Sequence, residues 1–357
     1  MPKGNGNRLV IFCLLCILLP LLPGCTLWDY LKPPEREVAP ARGNLEEARE
    51  LVHSFMQARI AGETEDYMRA FLTEEGWRDY QGKDFILKST NSQELVGYKV
   101  IEESDLTEGR FGFTIVVQEV DLDTVGAQNI QEDIIVRYDN DEYRVSSARF
   151  VEKNLTQVKG DTLVWRRVTA EGQEEEAPLV RLTELPTELL PIGGTPDQKL
   201  AVGRAAFSTV VLFPNNKGLA FGTSGGHSLI AIHKWDALPL KEEETGELIP
   251  LDLVINGATD LIAISPSAKH LAVETREASG SSIIRVYRTD GRNRLNLGLD
   301  EAFPQDKYEV KFNRWEPNGD GLIVRVNARP GVANPNQNTL GTWEINIKTG
   351  EREKIIS

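Results

Sequence analysis

Cysteine is almost missing from this 357-residue chain: Cys13, Cys16 and Cys25 are its three copies, and none follows. The body of the chain therefore has no intramolecular disulfide, and Cys13-x-x-Cys16, inside an apolar run, reads as neither a redox pair nor a metal site. Histidine is scarce too, with four copies. His227, His233 and His270 have no ligand spacing, so no metal or other cofactor is expected. Basic charge is in deficit, 40 Lys and Arg against 54 Asp and Glu, a net charge of −14. Such an acidic body argues against nucleic acid and against adhesion to anionic lipid by charge alone. The apolar run Leu9–Leu22 has 14 residues, where spanning the hydrocarbon core takes about 20, so a permanent transmembrane helix is disfavoured.

What is present begins at that run. Lys3 and Arg8 precede it and Pro23-Gly24-Cys25 follows, which is the basic, apolar, small-residue order of a secretory leader. Leu22-Pro23-Gly24-Cys25 resembles the bacterial lipobox. The resemblance implies cleavage between Gly24 and Cys25, a diacylglyceryl thioether on Cys25, and a palmitate-type acyl anchor. Two or three acyl chains hold a protein at a bilayer stably, whereas one does not. The expected location is the extracytoplasmic face of a bacterial cell membrane, or the outer membrane in a two-membrane host, since Thr26 rather than Asp follows the cysteine. Removal of residues 1–24 takes away Lys3 and Arg8 and no acid, so −14 becomes −16. Residues 25–43 carry Pro33, Pro34 and Pro40 among charged residues and read as an extended tether.

About 330 residues remain, enough for two domains at roughly 150 residues each. In 44–153, Asn44 with Glu47 forms an N-terminal capping signal. Leu45, Ala48, Val52, Phe55, Met56 and Ile60 then recur at helical spacing as far as Gly62. Short helices are expected over Thr64–Leu72 and Glu74–Tyr80. Alternating runs follow, with Phe111, Phe113, Ile115 and Val117 on one face and a turn at Asp139-Asn140-Asp141. Helices followed by long antiparallel strands imply an α+β layer. The openings Glu46–Phe55 and Asp66–Leu72 resemble those of the NTF2-like family, which implies a curved sheet wrapped around a helix as a cone. Such a cone holds a ligand or a catalytic set in its interior. His53 and Tyr67 are the residues here that could line it, although a lone histidine on a helix face is more often a packing residue.

Residues 155–357 repeat themselves. Val210–Phe221, Ile262–Val273 and Phe312–Val324 align on Pro214, Pro266 and Pro317, which lie 52 and 51 residues apart. Each repeat continues with a further strand, at Leu229–Trp235, Ile283–Tyr287 and Trp343–Ile347. A degenerate copy is suggested at Lys159–Trp165. Periods near 50 built from short strands and turn residues indicate propeller blades. Strand-Pro-Asp-Gly-Lys-strand is the hallmark of TolB-like, or WD40-like, propellers, and this sequence resembles that family over about 200 residues. Only Gly319 keeps the turn glycine, and none of the three keeps the Asp. Three to four blades are expected, as a four-bladed ring, an open arc, or an arc closed by a partner chain.

Gly222-Thr223-Ser224-Gly225-Gly226 fits the pattern of a nucleophile elbow, yet both flanks are strand-like rather than strand and helix. A glycine-rich hairpin is the better reading, and no catalytic residue is assigned. The sequence thus describes a non-enzymatic envelope lipoprotein: membrane-tethered by its lipid, with a protein or peptide partner for its propeller-like domain, as scaffold or sensor. The alternative is small-molecule binding or hydrolysis in the cone.

Overall fold

Helix α1, Leu45–Ala61, starts where the Asn44 side chain accepts the Glu47 N–H at 2.8 Å and ends at Gly62, whose positive φ of 67° closes the last turn. The computed structural model describes residues 44–81, 93–106, 109–238, 246–277, 280–332 and 335–355. The leader, Gly24, Cys25 and the tether lie outside them. One face of α1 buries Ala48, Val52, Phe55 and Met56. Helix α2, Glu65–Arg69, is shorter than the expected Thr64–Leu72. Leu72 leaves the helix to bridge Val145, and the Thr73 N–H bonds the Val145 carbonyl at 3.0 Å. Helix α3 covers Glu74–Gln81.

A six-stranded antiparallel sheet follows in chain order: β1 Gln93–Asp105, β2 Arg110–Asp121, β3 Gly126–Asp139, β4 Glu142–Lys159, β5 Thr162–Thr169 and β6 Glu174–Arg181. Asn140 and Asp141, both at positive φ, make the tight turn between β3 and β4. Phe111, Phe113, Ile115 and Val117 of β2 pack towards α1, while Gln118 and Val120 face the other way. Between helix and sheet the interior is filled by Phe55, Met56, Phe113, Ile115 and Ile134. It also holds a buried ion pair, Arg59 to Glu132, at 2.8 and 3.1 Å.

Two sequence expectations change here. The boundary drawn at residues 153–155 falls inside β4, which runs unbroken for 18 residues. Lys159–Trp165 is not a degenerate blade: Gly160, at φ 65°, turns β4 into β5, and β5 pairs back along β4 from Thr162 to Thr169. The α+β layer therefore reaches Arg181, and Gly43–Ser357 packs as one unit. A one-turn 3₁₀ helix, Leu182–Glu184, and the short strands β7, Glu188–Leu189, and β8, Leu200–Gly203, lead out of it.

Three blades follow. The first is β9 Ala206–Leu212, β10 Gly218–Ser224, β11 His227–Lys234 and β12 Glu247–Val254. The second is β13 Ala258–Ile264, β14 His270–Arg276, β15 Ser282–Arg288 and β16 Arg294–Leu295. The third, after helix α4 Leu299–Ala302, is β17 Tyr308–Trp315, β18 Gly321–Ala328, β19 Gly341–Asn346 and β20 Arg352–Ile355. Each is an antiparallel meander, and β8 joins the first blade in parallel beside β11.

Pro214, Pro266 and Pro317 occupy the same place in the same turn. Asn216 N bonds Phe213 O, Ala268 N bonds Ser265 O and Gly319 N bonds Glu316 O, each at 2.8 Å. The last residue of each turn has positive φ: 55° at Asn216, 57° at Ala268 and 73° at Gly319. The end of the third strand is tied to the turn alike in each blade, by Trp235 N to Lys217 O, Thr289 N to Lys269 O and Ile347 N to Asp320 O. The repeat is therefore one of hydrogen bonds as well as of residues. Ser224 ends β10 and His227 begins β11, with Gly225 and Gly226 at positive φ between them, so the elbow-like motif is a two-residue hairpin turn.

The innermost strands do not face an open channel. β9 lies against β2, β3 and β4, and both β13 and β17 lie against β1. Gln118 and Asn129, both buried, donate to the Leu212 and Phe213 carbonyls at 2.8 and 2.7 Å. The Asn129 amide also reaches the Asn216 side-chain oxygen at 2.7 Å. Among the described residues there are three blades, and the face towards their inner strands is covered by the chain's own N-terminal sheet.

Candidate functional site

The blades differ at their fourth strands. β12 runs eight residues along β11 and β20 four along β19, whereas β16 has two, with Leu295 opposite Val286 and Arg294 opposite Tyr287. The cause is local. The Asn296 side chain accepts the Gly298 N–H at 3.2 Å, Gly298 takes φ 61°, and α4 begins at once. The Arg352 guanidinium fastens the Gly298 carbonyl at 2.6 Å. The chain thus leaves the sheet, and no strand of the described residues pairs with Ser282–Arg285 on the outer edge of β15.

The vacated lane is a cavity of about 510 Å³. Ile283, Ile284 and Arg285 line it from β15, and Leu297, Leu299 and Glu301 line it from the segment that leads into and along α4. A second cavity of about 280 Å³ shares Ile192, Glu277, Arg285 and Arg294 with the first and continues towards Asp252.

Asp252 of β12 carries the charge at the inner end and is 2% exposed. Its carboxylate accepts the Tyr287 hydroxyl at 3.0 Å, the Ile192 N–H at 2.9 Å and the Leu253 N–H at 2.8 Å, with the Arg285 guanidinium 3.9 Å away. Arg285 also pairs with Glu277 at 3.1 Å. Burial, then the Asp252 charge, pushes the Tyr287 hydroxyl well above its ordinary range, so it stays a proton donor. Arg292 is spent on the Leu251 and Leu190 carbonyls. Arg294, exposed and lining both cavities, has no ion pair among the described residues. The lane therefore offers an unpaired strand edge, walls that mix Ile283, Leu297 and Leu299 with Glu277, Asp300 and Glu301, and one guanidinium with no ion pair among the described residues.

Similarity searches bear on the fold alone. No protein-family model matches the chain, and no curated protein matches it. Solved structures similar to it include TolB from Acinetobacter baumannii, at 10% identity and TM-score 0.32, over 70% of this chain and 66% of that one. The match thus spans just under two thirds of that protein's length. Another is a putative 6-phosphogluconolactonase from Bacteroides uniformis, at 12% identity and TM-score 0.29, over 73% and 94% of the two chains. A third is the β-propeller domain of Cps50 (Swd1) from Myceliophteria thermophila, at 10% identity and TM-score 0.28, over 68% and 96%. TolB and a β-propeller domain are thus among the neighbours of this mostly β chain; the threefold hydrogen-bond repeat is what defines its blades.

The residues singled out from the sequence lie elsewhere. His53 Nδ1 and the Tyr98 hydroxyl are hydrogen-bonded at 2.8 Å, and burial, then Arg49, lowers the histidine's pKa. Tyr67 is 52% exposed and meets the Phe71 ring edge-on at 5.6 Å. Neither lines the cavities described above, and the structure does not bring them together. Pro214, Pro266 and Pro317 hold the turns. Asp252, Arg285 and Arg294 were missed, and the legible signal was negative: after Tyr287 no strand-length run precedes Tyr308.

Proposed function

We propose that this chain is a non-catalytic envelope lipoprotein whose second blade binds an envelope protein or peptide, as scaffold or sensor. Lipid on Cys25 would hold it at the extracytoplasmic face of a bacterial cell membrane, and the NTF2-like reading of its α+β layer makes that layer a support for the blades. The observation that carries the proposal is the open β15 edge beside a cavity of about 510 Å³. Strand edges left unpaired are templates for another chain, and folded proteins normally cover them.

The test uses the full chain in its own membrane, with a photo-crosslinking residue in place of Glu301 in the groove or of Glu175 on β6. A discrete adduct to one envelope protein from position 301 and not from 175 is the expected result. Adducts equal at both positions, or none at 301, would remove the proposal. In the same cells Cys25→Ser should abolish acyl labelling and release the protein from the membrane fraction. Retention without label would remove the anchoring half.

A further inference from the structure

We infer that the occupant of the second blade is an extended segment that enters as its missing fourth strand, antiparallel to β15, with an acidic side chain at the position facing Arg285. The inference rests on the binding role proposed above and specifies its partner's chemistry.

Direction and register follow from the ladder. Arg288 N bonds Asn293 O across the outer edge, and Thr289 N bonds Lys269 O across the inner one. Main-chain groups alternate along a strand, so those of Ile284 and Ser282 point outward into the lane. A guest continuing the line of β16 places its first residue opposite Arg285, its second opposite Ile284 and its fourth opposite Ser282. The second and fourth residues exchange N–H and C=O bonds with β15, and the first and third do not. Four residues at about 3.3 Å each make a lane of roughly 13 Å.

Side-chain selection follows from the faces. Ile283, Arg285 and Tyr287 share one face, and Tyr287 reaches Asp252 of the first blade across it. Arg294, opposite Tyr287, stands on that same face. The first guest residue lies beside Arg285 and in line with Arg294, one strand repeat of about 7 Å away, within reach of a long guanidinium stem. Arg285 already serves Glu277 and Asp252, so Arg294 is the partner still to be matched. An Asp or Glu there gives Arg294 an ion pair, and apolar second and fourth residues stand on the face of Ile284, which packs into the blade core.

The probe is the peptide acetyl-Glu-Val-Thr-Val-amide with a C-terminal fluorophore, titrated into the full chain. Its Glu form should bind about tenfold tighter than its Gln form, and Arg294→Gln should erase that difference. N-methylation at the second residue should cost at least about tenfold, and N-methylation at the third should cost little. Ile284→Pro, which removes the outward N–H from an edge strand that tolerates proline, should abolish binding while thermal unfolding stays cooperative. Should Ile284→Pro fail to fold, the N-methyl pair and Arg294→Gln decide alone. Binding that ignores the N-methyl pattern, a Glu preference that survives Arg294→Gln, or no binding to the folded wild-type chain overturns the inference. An adduct from position 301 would then still leave the binding role standing.

Discussion

The first and second blades are built on one hairpin, matched bond for bond at Pro214 and Pro266, and they end differently. In the first, β12 completes the sheet and seats Asp252 against its neighbour. In the second, the chain turns away after Leu295 and leaves the outer edge of β15 without a strand partner among the described residues from Ser282 to Arg285. Equal cores with unequal rims show that the repeat sets the interior of a blade, while the connecting segment sets what its edge can do.

The largest effect should come from the interior. Phe221 in the first blade is fully buried against Phe207, with ring centroids 5.4 Å apart. Phe221→Ala should cost about 3–5 kcal/mol, whereas Ile284→Ala, beside an existing cavity, should cost about 2. Equal losses by urea unfolding would break the contrast. Next comes the clamp on the first blade's turn. Asn129→Ala leaves the buried Phe213 carbonyl without this donor and should cost about 1–3 kcal/mol. Among the described residues no side chain of the N-terminal sheet holds the Ser265 carbonyl in this way, so this dependence should be confined to blade one.

A pH titration separates the α+β layer from the second blade. Burial, opposed in part by Arg59, pushes Tyr80 up to about 12, and burial raises Tyr287 further. A phenol whose folded pKa exceeds its unfolded value of about 10 contributes stability that is complete below pH 10 and lost as pH rises. Urea midpoints should therefore fall between pH 10 and 12. Tyr80→Phe should flatten that fall, and Tyr287→Phe should flatten the part that continues above it. A midpoint unchanged across that interval would sink the assignment.

The smallest effects are the most discriminating. Ala268 holds a left-handed conformation that an alanine pays for in steric strain, so Ala268→Gly should stabilise by about 1 kcal/mol. At the matching position of blade one, Asn216→Gly relieves less and loses the bond from Asn129. It should destabilise by up to about 1 kcal/mol. Opposite signs at one turn position would sharpen the comparison; the same sign would end it.

The blade turns were legible because Pro214, Pro266 and Pro317 act through their immediate neighbours. The α1 cap and the Asn140 turn were legible for the same reason. What stayed hidden depends on partners far along the chain. Nothing in Lys159–Trp165 tells a new blade from a return along β4, since both need the same alternation. Asn129 looks like any polar residue in a strand until Phe213, 84 residues on, stands beside it. The groove is harder still to read, because it comes from a strand that stops. Asn296 and Gly298 mark where it does, but what lies beyond them is set by packing.

β4 has a consequence of its own. Tyr143, Val145 and Ala148 at its start belong to the core beneath the helices, and Val158 near its end packs into the core of the blades. At about 3.3 Å per residue it is a plank of roughly 60 Å nailed into both. Neither half can melt without loosening the other. Heating should give one calorimetric transition, and a chain begun at residue 155 should keep only the last five of the 18 residues of a strand that its own core requires.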